Sequence, residues 1–243
     1  MNQTLTHKIQ ALTESASLAE TDQALTSIMH DLGCGNFSYN YYPLDFKNTA
    51  KALHVVCTQE VKGWQEHYST NHYDQIDPIM RRMRNSHLPL AWKLEDELAH
   101  HEKNQRRVFL DAIDFGFHGG FAVPVHAPLG EFANLVVQDA SILAVIKHHP
   151  EMIHTLQLTA YHYHARVSHL IATNQSIDTM ITLTERETEC LRLTLQHKTA
   201  KEIARILNIT ARTAGFHLEN SFKKLLVSNK YQAASKAEKL GLL

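Results

Sequence analysis

Apolar residues recur at helical spacing near the end of the chain. Ala214, Leu218, Phe222 and Leu225 follow one another at intervals of three and four, which places them on one face of a helix. The stretch 199–207 has the same spacing in a shorter helix. A short helix, a tight connection and a longer helix form the helix-turn-helix arrangement, whose second helix enters the major groove of DNA. The pattern therefore favours DNA binding, with a small helical bundle as the alternative.

Start signals for four helices support this interpretation of residues 184–243. Thr184 and Thr199 are each followed three residues later by a glutamate, which is the pattern of a capping box. Thr210 and Ser228 are predicted to be simple N-caps of the last two helices. The segment is therefore predicted to be a four-helix domain.

The rest of the chain mixes strand patterns with helical patterns. The β-rich runs are 36–44, 51–58, 119–127 and 132–140. The helical patterns are 21–33, 61–70, 78–86, 103–116 and 149–171, with an amphipathic helix at the N-terminus. Strand pairs separated by helices and by Gly/Pro turns predict an α+β fold around an antiparallel sheet.

Charge and composition divide the chain into two domains. Residues 172–183 are predicted to be a linker between 1–171 and 184–243, because they include a polar stretch with few large apolar side chains. The last segment holds 11 Lys+Arg and 6 Asp+Glu, a net charge of +5, whereas residues 1–183 carry −6. A basic segment attached to an acidic body indicates contact with nucleic acid, although a solvated surface has the same composition.

Composition also narrows the class of protein. With 44% hydrophobic and 20% charged residues the chain is typical of a globular protein, and its apolar stretches are too short to span a membrane. We therefore expect a cytoplasmic protein with no membrane partner. Three scattered cysteines predict neither a disulfide framework nor a thiolate site, and the histidine clusters lack helical ligand spacing. We expect no metal, no cofactor and, without a nucleophile elbow or phosphate loop, no enzymatic activity.

Residues 184–243 resemble the DNA-binding domain of LuxR-type transcriptional regulators. The resemblance is carried by LTERETECL, KTAKEIARILNITARTAGFHLENSFKKL and QAASKAEKLGLL. His197 departs from it, because the family usually has glycine there, in the left-handed backbone that ends a helix. Gly215 and Glu219 stand where members commonly carry basic side chains. Glu219 can accept from a cytosine amino group but is repelled by phosphate, so the operator sequence and the affinity are open.

The resemblance implies where DNA is contacted and how the protein assembles. The expected DNA-binding residues are Lys198, Thr199, Lys201, Arg212, Thr213, Gly215, Phe216, Glu219, Asn220 and Lys223. A homodimer is expected to present two recognition helices to a two-fold symmetric operator in double-stranded DNA. The candidate dimer surface on helix 149–171 consists of Ile153, Leu156, Tyr163 and Val167, for which core packing is an equal alternative.

Aromatic and acidic residues cluster in the stretch GWQEHYSTNHYDQIDPIM, residues 63–80. Trp64 and Tyr68 are four residues apart and so share a helix face, with two polar tips on an aromatic wall. Asp77 followed by Pro78 predicts a helix start, with the aspartate as cap. By themselves these residues favour an aromatic pair in a core beside a capped helix.

Residues 30–140 resemble the acyl-homoserine-lactone-binding domain of the same family. The matching positions are Trp64, Tyr68, Asp77, Pro78, Trp92 and Gly120. The resemblance implies that the Trp64 indole donates to the lactone carbonyl and that the Asp77 carboxylate accepts from the ligand amide. Tyr68 and Trp92 would line the pocket, and Gly120 would permit close backbone approach.

Two pocket positions depart from the family pattern. Glu60 stands where many members have a tyrosine that donates to the acyl carbonyl, and Val136 stands where a small hydroxyl residue can occur. An ionised glutamate has no donor to offer. The head-group site is therefore expected to be intact and the acyl-carbonyl site altered, so that either the acyl chain differs or the ligand is another small molecule.

These expectations combine into one hypothesis. An N-terminal α/β/α sandwich around an antiparallel sheet senses an acyl-homoserine lactone or a related small lipophilic signal. A C-terminal four-helix helix-turn-helix domain binds DNA and regulates transcription. One alternative is a LuxR-type regulator that needs no ligand, and the other is an enzyme that processes the signal.

Overall fold

The computed structural model describes residues 3–42, 52–127, 131–174, 182–225 and 227–243. It divides into two units, Met1–Asn174 and Gln175–Leu243. The fold is α+β, as predicted, because an antiparallel sheet with helices on both faces forms the first unit and helices form the second. No described helix is both long enough and apolar enough to cross a membrane.

The first unit contains eight described helices and five described strands. The helices are α1 (Gln3–Glu14), α2 (Leu18–Asp31), α3 (Gln59–Thr70), α4 (Pro78–Arg84), α5 (Leu94–His100), α6 (Lys103–Asp114), α7 (Ile142–His148) and α8 (Glu151–Asn174). The strands are β1 (Phe37–Tyr42), β2 (His54–Cys57), β3 (Leu90–Lys93), β4 (Gly119–His126) and β5 (Phe132–Val137).

The sheet is antiparallel throughout, with strand order β2-β1-β5-β4-β3. β1 and β5 are buried at every position, because helices cover both faces of the sheet. The sequence patterns predicted four of these strands but missed β3, whose residues LAWK show no run of β-branched side chains like the HVVC of β2. β3 pairs with β4, which brings Trp92 opposite Gly120.

Each face of the sheet has its own apolar core. On one face α1, α2, α7 and α8 pack against side chains such as Tyr39 and Leu135. On the other face α3, α4, α5 and α6 pack around Trp64, Phe109 and Val136. The period-two alternation of the strands sends neighbouring side chains to opposite cores. The second core surrounds the cavity described below.

Several predicted boundaries are wrong. α2 begins after Ser17, whose hydroxyl accepts from the Glu20 N–H, and not at residue 21. α8 continues to Asn174, so the first three residues of the predicted linker are helical. The rest of the linker to residue 181, the turn at 128–130, and residues 43–51 at the ends of two predicted strand runs lie outside the described residues.

The interior side of α8 also corrects the candidate dimer surface. Leu156, Tyr163 and Val167 are fully buried in the first core, and Ile153 packs against it. The core-packing alternative therefore holds for these four residues.

The second unit contains α9 (Glu185–Leu195), α10 (Ala200–Ile206), α11 (Ala211–Leu225) and α12 (Lys230–Lys239). Both predicted capping boxes form, Thr184 with Glu187 and Thr199 with Glu202. The predicted cap of α12 is wrong, because the Asn229 side chain accepts from the first free N–H groups of that helix. The neighbouring Ser228 hydroxyl instead donates to Gln232 at 2.9 Å.

The helices of the second unit bury the face that the periodicity predicted. Ala214, Leu218 and Leu225 of α11 are buried, and Phe222 packs against the same core. His197 has φ of 62°, so the position where the family usually has glycine is left-handed here too.

An ion pair fixes α9 to α11. Glu187 is 3% exposed, and the Lys224 Nζ lies 2.7 Å from its carboxylate. Hydrogen bonds from Lys224 and from the Thr184 N–H hold the pKa of Glu187 below its usual value, although burial opposes them by raising it.

Candidate ligand cavity and DNA-binding helix

A cavity of about 80 Å³ lies between the sheet and the helices α3 to α6. Its walls are mainly apolar, as is usual for small-molecule sites. Among the predicted ligand-binding residues, those that line it are Trp64, Tyr68, Asp77, Trp92 and Val136. Four separate stretches of chain, from α3 to β5, thus bring these side chains to one place.

Trp64 and Tyr68 form the aromatic wall that their spacing on α3 predicted. Their ring centroids are 5.5 Å apart, with the planes at 70° in an edge-to-face arrangement. Trp64 is 7% exposed, and within the described residues its indole N–H has no hydrogen-bond acceptor. The indole nitrogen is not among the fully buried atoms that lack a partner, so it is accessible from the cavity that Trp64 lines and is available to an acceptor there.

Asp77 caps α4 and also faces the cavity. Its Oδ1 accepts from the Ile79 N–H at 2.8 Å, and its Oδ2 accepts from the Tyr68 hydroxyl at 2.9 Å. Burial raises the pKa of Asp77 to about 6, although hydrogen bonds from Tyr68 and from the Ile79 and Met80 N–H groups oppose this shift. Each carboxylate oxygen retains a lone pair, so a donor from a ligand can be accepted and would favour the charged form.

Gly120 allows Trp92 to lie flat against the sheet. A Cβ at Gly120 would lie 2.8 Å from Trp92 Cζ2 and closer still to the Val137 carbonyl oxygen. The close approach expected at Gly120 is therefore made by this ring and this carbonyl, and Gly120 does not belong to the cavity lining. Glu60 is exposed in the first turn of α3 and also lies outside the lining.

Three buried polar residues of the lining were missed by sequence reasoning. They are Asn40 on β1, Asn134 on β5 and Gln138 directly after β5. Their signal was the regular alternation of polar residues within apolar runs, as in FANLVVQ, where the third, fifth and seventh residues (Asn134, Val136 and Gln138) share a face. All three are buried.

The predicted recognition helix, α11, has one exposed face. Arg212, Phe216, Glu219 and Lys223 are exposed and follow one another at intervals of four, three and four residues. Phe216 is 60% exposed on this face. Apolar contact with a thymine methyl group is one use of such a side chain in a major groove.

The remaining predicted DNA-binding residues surround this face. Thr199 and Lys201 at the start of α10 are exposed. Lys198, Thr213, Gly215 and Asn220 are half-buried, and a Cβ at Gly215 would meet nothing within 4 Å. The Thr213 N–H donates to Thr210 Oγ1 at 3.1 Å, which confirms the predicted cap of α11.

In the described part of the chain we find no metal-binding cluster and no activated cysteine. There, no three His, Cys, Asp or Glu side chains are grouped so that they could hold a metal ion. Cys34, Cys57 and Cys190 are unpaired. Burial raises the pKa of each of these thiols, which disfavours the reactive thiolate.

Comparison with known proteins relates both units to bacterial regulators. An autoinducer binding domain matches residues 17–167, and the description "bacterial regulatory proteins, luxR family" matches residues 181–237. The transcriptional activator protein VanR of Vibrio anguillarum is 30% identical over 197 residues, which cover 81% of this chain and 80% of VanR. The transcriptional activator protein SolR of Ralstonia nicotianae is 33% identical over 225 residues, 90% of each chain.

Solved structures share the fold at lower identity. Escherichia coli SdiA matches with a TM-score of 0.72 and 23% identity, over 98% of this chain and 97% of SdiA. SdiA in complex with octanoyl-rac-glycerol also gives a TM-score of 0.72, at 22% identity, over 100% of this chain and 97% of that one.

Proposed function

Because the chain belongs to the LuxR family of bacterial regulatory proteins, we propose that it senses an acyl-homoserine lactone or a related small lipophilic signal and binds a two-fold symmetric operator as a homodimer. Autoinducer sensing and DNA binding in general follow from the family. The lactone, the dimer, the symmetry of the operator and the location in the cytoplasm are the proposal. The relatives are transcriptional regulators and not enzymes, and we propose no cofactor besides the signal.

The single observation that carries the ligand proposal is the pairing of a free donor with an incomplete acceptor. The Trp64 indole N–H has no acceptor among the described residues, and Asp77 retains lone pairs beside Tyr68. In an amide-lactone head group, the lactone carbonyl can accept from the Trp64 indole N–H and the amide N–H can donate to the Asp77 carboxylate. Buried polar groups left unpaired are destabilising, so a ligand that satisfies both is selected over one that satisfies neither.

The walls around this pair suit a short acyl chain. Met80, Met83, Leu94, Val108 and Phe109 line the cavity. Methionine side chains are flexible and adapt to the shape of a ligand. A cavity of about 80 Å³ is smaller than an acyl-homoserine lactone, so these side chains must move to admit one, and a short chain requires the smallest movement. A regulator that needs no ligand would instead keep these residues as an ordinary core.

The exposed face of α11 supports DNA binding with a large electrostatic component. Arg212 and Lys223 lie at its two ends, and Lys201 of α10 is exposed as well. Glu219 lies on the same face and repels phosphate. We therefore expect specific but rather weak binding that depends steeply on salt. On α8 the exposed large apolar residues are Leu158 and Tyr161, at 38% and 40% exposure, which are candidates for the dimer contact.

The test of the function uses the full-length protein with a panel of acyl-homoserine lactones of increasing chain length. A ligand that binds the folded state alone raises the free energy of unfolding by about 2.7 kcal/mol at a hundredfold excess over its Kd. We expect thermal midpoints to rise most for short chains and a mobility shift of duplex DNA to increase in parallel. If no lactone raises the midpoint while DNA still binds, the lactone proposal is wrong and the ligand-independent alternative gains support.

Mass spectrometry of the bound lactone distinguishes our proposal from the alternative that the protein is an enzyme that processes the signal. Under our proposal the lactone is recovered unchanged from the complex. A processing enzyme would return a product.

Reversing the charge of Glu219 tests the DNA face directly. Glu219→Arg removes repulsion and adds a phosphate contact, so DNA affinity should increase and the salt dependence should steepen by about one counterion. Fluorescence anisotropy at several salt concentrations measures both. Glu238→Arg makes the same charge change at an exposed position of α12 and is the matched control. Equal effects of the two variants would mean that only net charge matters and that α11 does not face DNA.

A further inference from the structure

A column of polar side chains crosses the wall of the cavity that the sheet provides. Ser38 and Asn40 alternate on β1, and Asn134 and Gln138 occupy the same face at β5. The register places Ser38 opposite Val136 and Asn40 opposite Asn134. These four polar residues are at most 8% exposed. An apolar acyl chain alone does not require such a column.

Hydrogen bonds connect the column but do not complete it. Gln138 Nε2 donates to Ser38 Oγ at 3.0 Å, and Asn40 Nδ2 donates to Asn134 Oδ1 at 2.9 Å and to Ser38 Oγ at 3.4 Å. Gln138 Oε1 is buried and has no hydrogen-bond partner. Gln138 lines the cavity, so the cavity is where a partner for it can come from.

The orientation of the amide does not change this conclusion. The oxygen and nitrogen of a glutamine amide are assigned from their hydrogen-bond partners. Ser38 Oγ can donate as well as accept, so the Gln138 amide could also be turned around. In either orientation one polar atom of Gln138 bonds to Ser38, and the other occupies the buried position at which the amide oxygen has no partner. A buried polar atom of this kind is normally satisfied.

We propose that the ligand of this cavity carries a hydroxyl group that hydrogen bonds to the free end of the Gln138 amide. The inference rests on the proposed function and narrows its ligand class. A hydroxyl both donates and accepts, so it satisfies either orientation of the amide. A keto group accepts only, and an unsubstituted acyl chain would bury the amide against methylene groups. The column thus selects hydroxylated signals over plain acyl signals.

The experiment compares probes that differ in one group. Acyl-homoserine lactones of equal chain length carry no substituent, an oxo group at the third carbon, or a hydroxyl at the third or the terminal carbon. A second series without a lactone pairs a monoacylglycerol with the methyl ester of the same fatty acid. Titration calorimetry on the full-length protein should show at least one hydroxylated probe binding about tenfold tighter than its unsubstituted partner, as expected for the net gain of one hydrogen bond.

Variants of Gln138 assign the preference to this residue. In Gln138→Leu, and in Gln138→Met as a second variant with a flexible side chain, the tenfold preference should disappear while the unsubstituted probe binds at least as tightly as in the wild type. Gln10→Leu makes the same change at an exposed position of α1, which packs on the opposite face of the sheet, and should keep the preference. Thermal unfolding confirms that each variant is folded.

The two probe series distinguish a failure of the lactone proposal from a failure of the hydroxyl inference. If every lactone fails but the monoacylglycerol binds better than the ester and depends on Gln138, the lactone proposal is wrong and the hydroxyl inference stands. If lactones bind but no hydroxylated probe in either series exceeds its partner, the hydroxyl inference is overturned and the lactone proposal stands. A preference that survives in both Gln138 variants also overturns it.

Discussion

Replacing Gly120 with alanine is expected to destabilise the first unit by about 3 kcal/mol, the upper end of what overpacking a core costs. The new Cβ would lie 2.8 Å from Trp92 Cζ2 and closer to the Val137 carbonyl oxygen. A carbonyl in the middle of a sheet cannot move without loss of strand pairing, so the Trp92 ring must be displaced towards the cavity it lines. Urea unfolding should show the lower stability, and the ligand-dependent rise in thermal midpoint should be lost.

Gly35→Ala is the matched control for this substitution. A Cβ at Gly35 meets nothing within 4 Å, and its backbone is not in the left-handed region. Its stability should remain within about 0.5 kcal/mol of the wild type. A Gly120→Ala variant that is equally stable would show that the sheet and Trp92 relax without cost, and the assigned role of Gly120 would be wrong.

Asp77→Asn is expected to weaken lactone binding by about tenfold, a loss of about 1–2 kcal/mol. The asparagine has one oxygen, which the Ile79 N–H at the start of α4 requires. Its amino group then faces Tyr68 and the N–H of the ligand, so a donor meets a donor. Trp64→Phe should give a loss of similar size, because it keeps most of the apolar bulk and removes the indole N–H. Titration calorimetry on both variants measures these losses.

The pH dependence of lactone binding tests whether the Asp77 carboxylate is the group that contributes the affinity lost in Asp77→Asn. The pKa of Asp77 is raised from 3.8 to about 6 by burial, so its contribution to the ligand-free fold is most favourable below pH 4 and is lost as pH rises through 6. A ligand N–H favours the charged form and lowers this pKa again. Lactone affinity of the wild type should therefore increase by about tenfold from pH 5 to pH 7, and that of Asp77→Asn should not.

A nearby carboxylate provides the control for these measurements. Asp74→Asn removes a charge three residues away without changing the cavity lining, and should keep both the affinity and its pH dependence. At pH 7 the ligand-free Asp77→Asn protein should be at least as stable as the wild type, because it lacks the buried charge. A large loss of ligand-free stability with an intact lactone response would instead assign Asp77 to the core alone.

Features determined by a few neighbouring residues could be predicted from the sequence. The capping boxes of α9 and α10 depend on a threonine and a glutamate three positions apart, and both form. The edge-to-face pair of Trp64 and Tyr68 depends on one turn of α3. The cap of α12 was predicted one residue early, because serine and asparagine are both good caps and stand side by side at 228 and 229.

Features determined by contacts across the sheet could not be predicted. β3 is held by its pairing with β4 and has little pattern of its own. The unpartnered end of Gln138 becomes visible only when Ser38, a hundred positions earlier, is seen to occupy its other end. For Glu60 the resemblance implied a place in the acyl-carbonyl site, whereas Glu60 is exposed in the first turn of α3 and is not part of the cavity lining.

The alternation of β1 and β5 separates the positions on the cavity side of the sheet from those on the opposite side. Ser38, Asn40, Asn134 and Gln138 lie on the cavity side, whereas Tyr39 and Leu135, which lie between them in sequence, belong to the opposite core. Substitutions at the first set can exchange one signal for another while the second set continues to anchor the sheet. Single mutations in these two strands can therefore change ligand specificity during evolution without a prior gain in the stability of the fold.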